Sequence, residues 1–346
     1  MYLTKVCIRL YNGVALLKRK AHHKQMPGNA GWEDTTMKKF VTIALTLAMA
    51  AASACASATT VGICQLVQHE ALDAATQGFK DALTEKMPDV KFDEQNAAGD
   101  AATCVTITSK FAADGVDLIL ANATSPLQAA VSATGDIPIL GTSITDYATA
   151  LGMKEWNGTT GFNVSGTSDL APLDGQAAMI QELFPDAKNI GLLYCSAEAN
   201  SVYQITTIKG YLEEMGYTCT EFAFTDSNDV ASVTQSAADA SDVVYIPTDN
   251  TAAAYTETIA NVLIPAKVPA VVGEEGICKG CGVATLTISY YDLGYKTGEM
   301  AYDILANGAD VSTMKIESAP NFTKKYNAVN AEALGLTMPA DYVAIE

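Results

Sequence analysis

Residues 61–94 read VGICQLVQHEALDAATQGFKDALTEKMPDVKFDE. Val61 to Val67 is a short apolar run of the kind that forms a buried strand. From Leu72 to Lys86 the period changes. Leu72, Ala75, Phe79 and Leu83 fall three or four residues apart, which places them on one face of a helix. Val90 to Glu94 returns to a strand. Strand, helix and strand in immediate succession form a β-α-β unit, whose two strands run parallel.

The alternation continues along the chain. Helices are predicted over 101–113 and 126–133, and strands over 116–120 and 137–140. It pauses over 146–170, where Gly152, Gly158, Gly161 and Gly166 fall, and then resumes. Helices are predicted over 173–184, 201–215, 229–238 and 252–263, the last ending before Pro265. Strands are predicted over 189–194, 218–224, 243–246, 268–272 and 283–288. A helix over 293–305 and a strand-like tail complete the chain. The pattern predicts an α/β fold of two doubly wound parallel-sheet lobes joined by a Gly-rich segment. The N-terminal lobe is expected to hold 59–165 plus about 290–318, and the C-terminal lobe 166–289 plus about 319–346, with the tail crossing back between lobes.

The start of the chain predicts export. Met37 opens MKKFVTIALTLAMAAASACASA, with Lys38 and Lys39 before an apolar Phe40–Ala52 and small residues at Ala56-Ser57-Ala58. These are the parts of a secretory signal peptide over 37–58. A competing reading takes Ala52-Ser53-Ala54-Cys55 as a lipobox, with Cys55 lipidated, although the usual Leu three positions earlier is absent. Residues 1–36 are expected to be untranslated, because a signal peptide belongs at the N-terminus. Trp32-Glu33-Asp34 also back-translates to a sequence containing GGAGG, a ribosome-binding signal upstream of Met37. The whole chain carries a net charge of −18. Residues 1–58 hold eight Lys and Arg but only two acids, so the exported part is more acidic still, at −24. Such a chain is expected to repel nucleic acid and anionic lipid.

In open parallel sheets, ligands bind beyond the carboxyl ends of the strands. The residues there are His69-Glu70, Thr124-Ser125 within 122–125, Thr145-Asp146 within 141–146, Ser196 and Glu198 within 195–198, Asp249-Asn250 within 248–250, and Glu274-Glu275 within 273–276. Nearly all are polar or small. Several precede helices, whose N-termini favour anions, while the acids favour a cation. A small zwitterion satisfies both. Helix capping explains each residue singly; their recurrence at six strand ends favours a cleft.

The segments VGICQLVQHEALDAATQGFKDAL, LANATSPLQAA, GTSITDY, SAEANSV, YIPTDNT, VVGEEG and GVATLTISYYDLGYKTG keep the order of a known family. The chain from Val61 to Gly335 resembles the substrate-binding proteins of ABC importers, of the tryptophan/tyrosine-binding type. The resemblance implies a periplasmic binding protein type I fold, with a hinge of three crossovers and an interlobe cleft. It implies an amino-acid ligand, aromatic in one version, and a membrane permease with a separate ATPase as partners. The chain is expected to be a monomer. A nucleoside or small sugar is the alternative ligand, and a membrane sensor the alternative partner. By more distant likeness to branched-chain amino-acid binding proteins, Ser125 and Thr145 would hold the ligand carboxylate and Glu275 its amino group. Relatives carry Asp-Pro where this chain has Asp146-Tyr147, which would put Tyr147 against the ligand side chain.

Other chemistries find less support. His69 is the single histidine after residue 58, with no triad or metal partners at suitable spacing. There is no Walker loop or nucleotide fingerprint. No enzyme activity, metal or cofactor is expected. Cys278-Lys-Gly-Cys281 lacks a second ligand pair for zinc, and it is expected in a Gly-rich turn rather than at a redox helix start. Transcription regulators share the fold, but they carry a basic DNA-binding module where this chain has its leader.

Overall fold

A computed structural model of the protein describes residues 58–319 and 321–345. The leader through Ser57, Cys55 and residues 1–36 lie outside the described residues. In chain order the elements begin with β1 (Thr60–Gln65), α1 (Glu70–Lys86), β2 (Lys91–Asn96), α2 (Ala101–Asp114), β3 (Leu118–Asn122) and α3 (Thr124–Ala133). They continue with β4 (Ile139–Ile144), α4 (Tyr147–Leu151), β5 (Val164–Ser168), α5 (Leu173–Leu183), β6 (Asn189–Cys195), α6 (Ala199–Glu214) and β7 (Thr218–Phe224). Next come α7 (Val230–Ala240), β8 (Val243–Ile246), α8 (Asn250–Ala254), α9 (Thr256–Ala266), β9 (Ala270–Val272), α10 (Glu275–Gly280) and β10 (Ala284–Thr287). The last are α11 (Tyr290–Leu305), β11 (Glu317–Ser318), β12 (Thr323–Tyr326), α12 (Ala328–Leu334) and β13 (Val343–Ala344).

Two sheets define two lobes. The first has the order β11-β5-β4-β3-β1-β2, with parallel pairs throughout. The second has the order β13-β12-β10-β9-β8-β6-β7 and is parallel except where β12 runs against β10. Central strands covered on both faces are buried throughout and mostly apolar: β3 reads LILAN, every residue buried. The edge strand β2 reads KFDEQN and is largely exposed. Val61, Ile63, Phe79 and Leu118 belong to one core layer of the first lobe, and Cys64, Phe111, Ile119 and Leu127 to the other. In each sheet the strand order reverses beside the first strand laid down, between β1 and β3 and between β6 and β8. Those switch points open the crevices where doubly wound sheets bind ligands.

The chain crosses between the sheets after β5, after β10 and after β11. On the second crossing it returns to the first lobe as α11, which lies along α1. The contact is close because small residues meet there. A Cβ at Gly294 would run into the carbonyl oxygen of Ala75, and one at Gly78 into that of Tyr291.

Two local expectations need correction. The helix over 252–263 is two helices, α8 and α9, which meet at Tyr255, and α9 runs through Pro265 before Lys267 ends it with φ 61°. Cys278 lies on α10 rather than in a glycine turn, and both Cys278 and Cys281 are buried in the core of the second lobe. The helix starts there because Glu274 caps it, accepting from the backbone N–H groups of Gly276 and Ile277.

Replacing Gly294 by valine should push α11 off α1 and lower stability by about 1–3 kcal/mol, read from chemical denaturation. An unchanged midpoint would mean that the helices part freely.

Candidate functional site

Strand ends of both lobes converge on one small cavity of about 10 Å³. From the first lobe come His69 after β1, Ser143 and Thr145 at the end of β4, and Asp169 after β5. From the second come Thr248 and Asp249 after β8, Asn250, and Glu274 after β9. Tyr290, at the start of α11, completes the wall. The space is about that of one water, so a ligand can enter only if the lobes part.

Three buried polar atoms among these residues have no partner among the described residues: His69 Nδ1, Ser143 Oγ and Asp169 Oδ1. Buried polar atoms are nearly always paired, so three on one cavity mark a place built for a ligand's polar groups. Asp169 Oδ2 accepts from the Tyr290 hydroxyl at 2.9 Å. Burial pushes the Asp169 carboxyl up to about 6. Burial likewise raises Glu274 to about 7, and burial with the nearby Glu198 charge raises Asp249 to about 7. Burial lowers the pKa of His69. Among the described residues the lining therefore holds three acids starved of a counter-charge, and no lysine or arginine. The backbone is strained beside it. Ser143 has φ 57° and Ala123, just after β3, has φ 99°. Both values are costly for residues with a Cβ, and such strain gathers at binding sites.

The expected site residues divide. His69, Thr145, Asp249, Asn250 and Glu274 line the cavity. Glu70 and Glu275 instead line a neighbouring pocket of about 300 Å³, where each is paired with a lysine: Glu70 with Lys279 at 3.0 Å and Glu275 with Lys325 at 2.6 Å. Of the two adjacent acids, Glu274 rather than Glu275 lines the small cavity. The capping geometry turns Glu274 toward the cavity, while Glu275 is engaged by Lys325. Ser125 and Glu198 line a third pocket, of about 320 Å³, on the Asn250 side. Thr124 is buried at the start of α3. Asp146 caps α4 through the Thr149 N–H, and Ser196 is exposed, its hydroxyl donating to the Phe224 carbonyl.

Tyr147 does not line this cavity. Its hydroxyl donates to the carbonyls of Gly141 and Thr167, and its ring stacks on Trp156, so it belongs to the first lobe's core. Reasoning from sequence missed Asp169 and Tyr290, and it did not single out Ser143 within 141–146. Asp169 follows a strand in the Gly-rich pause, where periodicity gives no warning.

This is the architecture of a two-lobed binding protein whose ligand is held between the lobes. The family model for ABC transporter substrate binding proteins matches residues 60–344, and the chain belongs to that family. It is 38% identical over 249 residues to a tyrosine-binding protein of Clostridioides difficile, covering 71% of this chain and 72% of that one. It is similar to a Streptococcus pneumonia ABC domain in complex with L-Trp, at 32% identity and a TM-score of 0.78, covering 82% and 97% of the two chains. An adhesive substrate-binding protein of Clostridium difficile, solved ligand-free and open, is 37% identical over 83% and 99% of the two chains, yet its TM-score is 0.64.

The raised carboxyls carry a pH signature. Asp169 titrates near 3.8 when unfolded and about 6 when folded, so between those values the folded state holds more protons. Its contribution therefore falls as pH rises through that window. His69, lowered by folding, works in the opposite sense, but it is common to wild type and variant. Asp169→Asn should raise the melting temperature at pH 8 relative to wild type, and the gain should shrink toward pH 5. An equal difference at both pH values would mean that Asp169 is not desolvated.

Proposed function

We propose that this chain is the extracytoplasmic ligand-binding component of an ABC importer and that its ligand is an amino acid with an aromatic side chain. The observation that carries this is Asp169: a buried carboxylate with a free oxygen, in an acid-rich cavity without a lysine or arginine. A ligand ammonium supplies the missing charge, through a charge-assisted hydrogen bond to Oδ1. The ligand carboxylate goes to the start of α1. That helix has 17 residues and no side-chain cap, and Ala71 and Leu72 of its first turn line the cavity. Its uncapped N–H groups and the Ser143 hydroxyl are the donors a carboxylate needs. The 320 Å³ pocket beyond Asn250, with Leu66, Val67, Ala254 and Tyr255, gives room for an apolar side chain. The names of the tyrosine-binding and tryptophan-bound relatives support the aromatic assignment.

The protein acts as a monomer without cofactor and presents its closed form to a permease driven by a separate ATPase. No bond-breaking chemistry is assigned to the site. The binding energy goes into closure, through contacts that exist only when both lobes touch the ligand. The leader over 37–58 delivers the chain outside the cytoplasm.

A thermal-shift screen of amino acids, nucleosides and sugars tests this, since a ligand that binds only the folded state raises its stability. An aromatic amino acid should give the largest shift, and Asp169→Asn should weaken that binding by about 1.5–3 kcal/mol. A shift with nucleosides or sugars alone would overturn the assignment.

A further inference from the structure

His69 belongs to the first lobe and Asn250 to the second, and they meet across the cleft, Nε2 to Oδ1, at 3.3 Å. Which atom of each group faces the other is decided one residue further on. Asn250 Nδ2 donates to Glu198 Oε2 at 2.6 Å. Glu198 is itself buried, and its two oxygens also accept from the backbone N–H groups of Asn250 and Thr251 and from the Thr251 hydroxyl. Turning the Asn250 amide over would set its oxygen against that carboxylate, so Oδ1 must face His69. An amide oxygen only accepts, hence Nε2 of His69 carries the ring proton. In the neutral ring Nδ1 then holds a lone pair, and Nδ1 is one of the unpartnered atoms on the cavity. Burial lowers the pKa of His69, which keeps the ring neutral.

We propose that His69 Nδ1 is the specificity-determining acceptor for a hydrogen-bond donor on the ligand's side chain. Glu198 and Asn250 are the positioning residues that fix its tautomer when the lobes close. This rests on the amino-acid reading above. The ammonium is taken by Asp169, whose partner is Tyr290. His69 is tied instead to Asn250, the residue that this cavity shares with the larger 320 Å³ pocket. The ligand atoms that pass His69 are therefore those of the side chain. A ring hydroxyl or ring N–H satisfies Nδ1; a phenyl ring leaves it buried and unpaired, which costs affinity. The class selected is aromatic amino acids with a ring donor, over phenylalanine.

Calorimetric titration of wild type and His69→Phe with L-tyrosine, L-tryptophan and L-phenylalanine tests it. In wild type the tighter of the first two should bind at least about tenfold more tightly than L-phenylalanine. His69→Phe should shrink that ratio to within about threefold, because it removes the acceptor that a ring donor uses and that L-phenylalanine leaves unpaired. A retained ratio, or an equal loss for all three ligands, would overturn the assignment while leaving the amino-acid reading intact. Equal loss would place the ammonium on His69. If wild type bound no amino acid, both would fall. A measurement on wild type alone keeps the test independent of the variant's folding. Nitrogen-15 NMR of the ligand-bound protein should show the His69 proton on Nε2, and a proton on Nδ1 would refute the tautomer.

Discussion

Asp169 lies one residue beyond β5, where the chain first leaves the first lobe, and Tyr290 opens the helix on which it returns. The hydrogen bond between their side chains joins two of the three crossings, inside the wall of the cleft. A carboxylate in that place is costly to ionise without a cation, and its neighbours Glu274 and Asp249 are acids. The group that would relieve the cost is the group that would bind. Ligand charge and hinge geometry are thus coupled through one residue pair.

The other contacts across the cleft are weak by comparison. Glu70 and Lys279 pair at 3.0 Å, but both side chains are about half exposed to solvent, at 58% and 49%. Such pairs contribute about 0–1 kcal/mol. The His69–Asn250 contact is long for a hydrogen bond, at 3.3 Å. Neither is strong enough to hold the lobes together alone. A ligand bonded to both lobes adds the differential energy that makes the closed form dominant.

Much of the architecture was legible in the sequence because burial on both faces imposes apolar strands, as in LILAN of β3, and one-sided burial imposes the helical period of Leu72, Ala75, Phe79 and Leu83. The strand-end rule then pointed to His69, Thr145, Asp249, Asn250 and Glu274, which all line the cavity. It could not find Asp169, because a single acid after a strand in a Gly-rich stretch reads as a loop residue. Nor could it choose between Glu274 and Glu275. That choice depends on which of two adjacent carboxylates caps α10, and so on where the helix begins. Tyr147 was misread for a related reason. Its ring fills the space left by Gly141 and Gly166, where any Cβ would meet the tyrosine hydroxyl, and such packing has no periodic signature. The positive φ of Ser143 is equally silent in the sequence. What the sequence withheld is the part that tertiary contacts impose.

The most direct measurement is the number of protons exchanged on ligand binding, obtained by calorimetry in buffers of different ionisation enthalpy near pH 6. At that pH Asp169, raised to about 6 in the closed ligand-free arrangement, is partly protonated there. An ammonium on its free oxygen stabilises the ionised form, so binding an amino acid should release protons to the buffer. Binding with no proton release, or with uptake, would contradict the central role given to the buried Asp169 carboxylate.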